Sequence, residues 1–78
     1  MKAVWIITDS EGLFRGVFST AKKAYKYLKA EVKKDYREGW FESRYYYLEH
    51  LVMLKDRYKN SPSDFEIHGL TARKYHVD

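Results

Sequence analysis

The chain contains no cysteine. Disulfide frameworks and thiolate zinc sites are therefore excluded, and the composition suits a reducing compartment. It has no uninterrupted apolar run approaching the roughly 18 residues of a membrane span. No basic segment followed by an apolar stretch opens the chain, so no signal peptide is expected and a cytoplasmic location is. Glycine is scarce, and Gly12, Gly16, Gly39 and Gly69 are too dispersed to form a phosphate-cradling loop. The single proline, Pro62, falls in Ser61-Pro62-Ser63-Asp64, which reads as the end of an element. No repeat, low-complexity tract or linker divides the 78 residues, which make one small domain with little stability to spare.

What the chain does have is aromatic residues, 18% of it with eight tyrosines, and a net charge of +4. A disordered segment carries fewer aromatics. The charge excess suits acidic partners without demanding nucleic acid.

The organising stretch is Gly16-Val17-Phe18-Ser19-Thr20-Ala21, where the apolar period changes from two to 3.6. Ser19 and Thr20 are both good helix N-caps, and Phe18 stands where it can staple back onto the first turns. At about 100° per residue, Ala21, Ala24, Tyr25, Leu28, Val32 and Tyr36 share one stripe. Lys22, Lys26, Lys29, Lys33 and Arg37 form a basic stripe, and Glu31, Asp35 and Glu38 an acidic flank. Gly39 is the expected left-handed stop.

Before this helix stand a strand over residues 2–8, an Asp9-Ser10-Glu11-Gly12 turn and a second strand over residues 13–18. Both faces of the first strand are apolar, Val4 and Ile6 on one and Ala3, Trp5 and Ile7 on the other. Phe14, Gly16 and Phe18 share a face of the second, where Gly16 fits as a small residue under a packed aromatic. A second helix is expected over residues 42–59, with Phe41, Tyr45, Leu48 and Val52 in one line and Tyr47, Leu51, Leu54 and Tyr58 widening it. Its rival is a strand over residues 44–50, since three tyrosines favour strands. Phe65 to His68 alternates as a strand, residues 69–72 read as a turn or bend, and residues 74–77 as a short last strand or an extension. The expected core is Val4, Ile6, Val17, Ala24, Leu28, Val32, Leu48, Val52 and Ile67.

The hairpin, the Val17-Phe18-Ser19-Thr20 cap and Lys23-Ala24-Tyr25-Lys26-Tyr27-Leu28 together resemble small accessory proteins encoded by bacteriophages. In these a β-hairpin leads through a V-F-S-T cap into a K-A-x-x-Y-L helix. The resemblance covers residues 2–34 and rests on a hairpin-to-helix junction. It implies small cytoplasmic, commonly non-enzymatic proteins, some of which bind and inhibit host proteins. Such proteins often continue with a strand reading Y-Y-I-E, which Tyr46-Tyr47-Leu48-Glu49 would match. No functional residue carries over.

Catalytic chemistry has little foothold. Ser10, Ser19, Ser43, Ser61 and Ser63 sit at turns or caps. Glu42, Glu49 and Asp56 recur every seven residues as a solvated stripe. Of His50, His68 and His76, only His68 shares a strand face with a carboxylate, Glu66; two ligands fall short of a metal site. No metal or cofactor is expected.

Two surfaces remain. The basic stripe of Lys22, Lys26, Lys29, Lys33 and Arg37 would track a phosphate backbone, with Tyr27 placed to stack on a base; otherwise it is a solvated lysine face. The aromatic excess points instead to a protein interface or self-association. If Val4 and Ile6 face the helices, Trp5 and Ile7 lie on the wet side, enlarged by Phe14 or Leu13 according to register, while Tyr46 and Met53 form a second patch on the second helix. The competing arrangement has the C-terminal segment covering Trp5. The sequence thus predicts an α+β domain, a small antiparallel sheet of three or four strands with one or two helices on one face in the order β-β-α-α-β. It predicts a non-enzymatic protein-binding module, an inhibitor or modulator or a homodimer, with nucleic-acid binding through the first helix as the alternative.

Overall fold

The computed structural model describes residues 2–60 and 64–77. The elements run β1 (Lys2–Thr8), β2 (Phe14–Phe18), α1 (Ala21–Arg37), α2 (Arg44–Asn60), β3 (Asp64–Ile67) and β4 (Leu70–Val77). The four strands form one antiparallel sheet in the order β2-β1-β4-β3. Two hairpins thus meet edge to edge along β1 and β4, and both helices pack on one face. The α+β architecture is the expected one, with a fourth strand longer than the sequence pattern suggested. The expected end of α2 at residues 61–63 lies outside the described residues.

The hairpin-to-helix junction forms as its residues dictate. In the β1–β2 turn, the Asp9 carboxylate accepts from the backbone N–H groups of Glu11 and Leu13, both at 2.9 Å, and Gly12 takes φ 81°. Thr20 is the N-cap of α1; its Oγ1 accepts from the N–H of Lys23 at 3.1 Å. Thr20→Ala should therefore cost about 1 kcal/mol in a urea unfolding titration, the usual loss for such a cap. The helix ends in a Schellman motif: Trp40 N–H donates to Asp35 O and Gly39 N–H to Tyr36 O. The left-handed residue this requires is Gly39, at φ 84°. Ser43 caps α2, its Oγ accepting from Tyr46 N–H at 3.4 Å.

The core draws Trp5 and Ile7 from β1, Ala24, Leu28 and Val32 from α1, Leu54 from α2, and Phe65, Ile67, Leu70 and Ala72 from the second hairpin. The helices run antiparallel, joined by two stacked tyrosine pairs, Tyr25–Tyr58 at 4.6 Å and Tyr36–Tyr47 at 4.1 Å between ring centroids. The expected stripe of α1 is the packed one.

Three expectations are corrected. First, Trp5 (4% exposed) and Ile7 (fully buried) face the helices, and Val4 and Ile6 lie half-exposed on the open side. Ile7 is flanked across the sheet by Gly16 and Ala72. Those small neighbours leave room on that face for bulky side chains and the helix layer. Second, Val17, Leu48 and Val52 are exposed, not core. Val17 pairs with Ile6 and follows it to the open face. On α2 it is the line of Tyr47, Leu51, Leu54 and Tyr58 that packs inward, and α2 is a helix where the rival placed a strand. Third, residues 70–72 belong to β4, because the turn falls one step earlier, at His68 (φ 50°) and Gly69 (φ 79°). Gly16 does sit under an aromatic: a Cβ there would approach the Phe18 ring to 3.1 Å.

Candidate interaction surfaces

Strand register assigns every side chain of the sheet to a layer, because directly paired residues share a face. Opposite Ile6 stand Val17 on one side and Arg73 on the other; opposite Val4 stands Tyr75, and opposite Arg73 stands Asp64. A bulge between Ile7 and Thr8 shifts β2 so that Phe14 pairs with Thr8, across the sheet from Gly16 and Phe18. Phe14 therefore joins the open face rather than the face of Phe18.

Among the described residues no helix covers this open face. It carries Phe14 (66% exposed), Val17 (51%), Tyr75 and Val77, with Val4 and Ile6 between them. Toward β3 it becomes polar. Thr71 Oγ1 donates to the Glu66 carboxylate at 3.2 Å, and Ile6, Thr8, Thr71, Arg73 and Tyr75 line a shallow concavity of about 300 Å³. A sheet packed on one side and apolar on the other is half of a two-sided sandwich.

The opposite layer holds a compact cluster where the β3–β4 turn meets the α1–α2 joint. His68 Nε2 donates to Asp35 Oδ2 at 2.8 Å, and its ring stacks on Phe41 at 4.7 Å. His50 meets both rings edge-on, at 5.0 Å from Phe41 and 5.4 Å from His68. Its Nδ1 lies 2.8 Å from the Tyr46 carbonyl oxygen. A carbonyl only accepts, so the His50 proton sits on Nδ1. These contacts hold the positive φ of His68, uncommon for a non-glycine residue. Glu66 and His68 do not form a pair, since Glu66 lies on the open face and His68 reaches toward the helices. Among the described residues, no three His, Asp or Glu side chains gather as a metal site.

The basic stripe of α1 is in place. Lys22, Lys26, Lys33 and Arg37 are exposed and Lys29 is half-buried. Two residues of its acidic flank are engaged elsewhere, Glu31 with Arg15 at 3.8 Å and Asp35 with His68. Tyr27 is not free to stack on a base, because its ring packs against Phe18 at 5.2 Å.

Of the interface residues expected from sequence, Trp5 and Ile7 are core. Phe14 and Tyr46 are exposed, but on different layers, and Met53 packs against the core. The structure does not bring these five together. Val4, Ile6, Val17, Tyr75 and Val77 form the larger surface. The signal for it was the two-sided apolar character of β1, read in the opposite phase.

No protein-family model matches the chain, and comparison with curated proteins and with solved structures gives no match. Among the described residues no helix is long and apolar enough to cross a membrane.

Proposed function

We propose that the protein works by binding another protein rather than by catalysis, and that the open face of the sheet is the docking surface. The observation that carries this is the contiguous set of exposed Phe14, Val17 and Tyr75 around the half-exposed Ile6, on the face away from α1 and α2. A continuous apolar patch of this kind usually marks an interaction site, and exposed aromatics are enriched among interface anchors. Arg73 lies within the face, opposite Ile6, beside Asp64 and Glu66, so it is the net charge of +4 over the whole chain, rather than this face, that steers. The partner that fits is an acidic protein with an apolar patch, steered by charge and held by burial. Such a module acts by occupancy, covering a surface its partner needs, as an inhibitor or modulator does.

A second reading, phosphate contact through the exposed basic stripe of α1, is favoured by the diversion of Glu31 and Asp35 into pairs with Arg15 and His68. One experiment separates the two. Tagged protein is used for capture from lysate with and without nuclease, beside Val17→Asp and a variant with Lys22, Lys26, Lys29 and Lys33 changed to Gln. The expected result is one stoichiometric acidic protein that survives nuclease, is lost with Val17→Asp and is kept by the lysine variant. Recovery of nucleic acid alone, lost at raised salt and with the lysine variant, would replace the first reading with the second.

A further inference from the structure

Trp5 is core, but Trp40 is 73% exposed, the most exposed of the large apolar side chains described. The cap of α1 explains why. Trp40 follows Gly39 in the Schellman motif and donates its N–H to Asp35 O. A residue so placed usually packs on an apolar side chain at that carbonyl's position or the one before it. Here those positions are Asp35 and Lys34, so the cap offers the indole no apolar partner. Trp40 forms one wall of a cleft of about 410 Å³, whose other walls are Phe41, Glu42, Tyr46, His50 and His68.

The two histidines fix the polarity of this cleft. His50 spends its Nδ1 proton on the Tyr46 carbonyl, and His68 its Nε2 proton on Asp35. In the neutral rings the other nitrogens, His50 Nε2 and His68 Nδ1, are acceptors. The Glu42 carboxylate is a third acceptor, and among the described residues it makes no ion pair. Against these stands one fixed donor, the Trp40 indole N–H, while the Tyr46 hydroxyl serves either way. Asp35 places a second carboxylate behind His68. The cations flanking the joint, Arg37 and Arg44, stand two residues from Asp35 and Tyr46, about 160° around their helices. The occupant that fits brings donors, positive charge and a flat face for aromatic rings.

We infer that the cleft binds a guanidinium group, that of an arginine side chain on a protein partner. A guanidinium is planar, stacks on aromatic faces and offers five N–H donors in a fork that matches a carboxylate. Trp40 and Tyr46 supply the faces and Glu42 the paired acceptor, and the methylene stem of the arginine lies along the rings. An ammonium is compact and strongly hydrated and keeps its water in so open a cleft. The cleft belongs to the helix layer, apart from the open sheet face, so this assignment does not rest on the docking surface proposed above.

Heteronuclear NMR titration at about pH 8, where imidazole is uncharged, tests this with N-acetyl-arginine amide, its neutral isostere N-acetyl-citrulline amide, and N-acetyl-lysine amide. The arginine probe should shift the Trp40 indole resonance saturably, and the other two should bind more weakly by about threefold or more. Trp40→Ala and Glu42→Gln should each weaken arginine binding by about two- to fivefold, the range of exposed cation–π contacts and ion pairs; for Trp40→Ala the Tyr46 resonances report. Circular dichroism should show both variants folded. Asp56→Asn, at the far end of α2, and Val17→Asp, on the open sheet face, should bind the probe like the wild type. No saturation at the highest soluble concentration of the arginine probe overturns the inference, as does equal binding of citrulline or lysine. Equal loss with Asp56→Asn and Glu42→Gln would also overturn it, since that marks diffuse attraction to carboxylates. Methylguanidinium lacks the stem and should bind more weakly than the arginine probe; equal binding would overturn the assignment to a protein's arginine.

Discussion

Trp5→Ala should remove about 3–5 kcal/mol of stability, the usual cost of truncating a buried Phe or Trp. At roughly 0.05–0.15 kcal/mol per residue, a domain of this length holds about 4–12 kcal/mol in all. The variant should therefore lose from about a quarter to all of its stability, read as a large fall in the urea midpoint. The reason is position: Trp5 is 4% exposed, its ring lies 5.6 Å from that of Phe65, and its neighbour across β1–β2 is Phe18, itself packed against the core. Removing the indole opens a hole between the sheet and the second hairpin, lined by groups that cannot collapse into it. Val17→Ala, on the opposite face of the adjacent strand, is the matched control and should cost well under 1 kcal/mol. Urea titrations of the two variants check this. Near-equal small costs would mean that the sheet presents its other face to the helices. Loss of association by folded Trp5→Ala would return this tryptophan to the surface.

That outcome bears on how much of the fold is legible in the chain. The hairpin, the Thr20 cap, the packed stripe of α1 and the Gly39 stop follow from local chemistry that tertiary contacts reinforce. The phase of β1 does not. Val4 and Ile6 are as apolar as Ala3, Trp5 and Ile7, and alternation alone cannot choose between two greasy faces. The choice is made by residues distant in sequence. Gly16 and Ala72 stand on either side of Ile7 and leave it space. Phe65 meets Trp5 from the far hairpin. The bulge at Thr8 then moves Phe14 to the open face, a shift that no period-two reading of β2 contains.

The candidate site was legible to the same degree. Two-sided apolar character in β1 announces a sheet with something to bury on each face, and that remains the basis of the proposed function. The individual residues were exchanged with the phase: Trp5 and Ile7 for Val4, Ile6 and Val17. Tyr75 and Val77 fall inside the strand expected over residues 74–77, but their layer is set by pairing with β1, opposite Val4 and Lys2, a long-range contact that the local pattern does not contain; His68 at positive φ also ends β3 earlier and lengthens β4 to residue 70. Asp35 and Phe41, from elsewhere in the chain, hold the β3–β4 turn, and nothing local to residues 64–77 signals them.

Leu54→Ala should cost about 2–5 kcal/mol, whereas Leu48→Ala should change stability by less than about 1 kcal/mol. The two leucines sit six residues apart on one helix, equal in propensity and in volume. Leu54 is fully buried at the junction of α2 with the core; Leu48 is on the outer stripe. Sequence cannot rank them, because α2 offers an apolar line to either side and its amphipathic signal cancels. The stacks of Tyr47 on Tyr36 and Tyr58 on Tyr25 settle its rotation by locking both ends of α2 against α1. With the helix so turned, Leu54 must point to the sheet and Leu48 away from it. Thermal or urea unfolding of the two variants checks this, with any association excluded by low protein concentration. A large cost at Leu48 with little at Leu54 would rotate α2 by about a third of a turn and bury Tyr45 and Val52 in place of the tyrosine stacks.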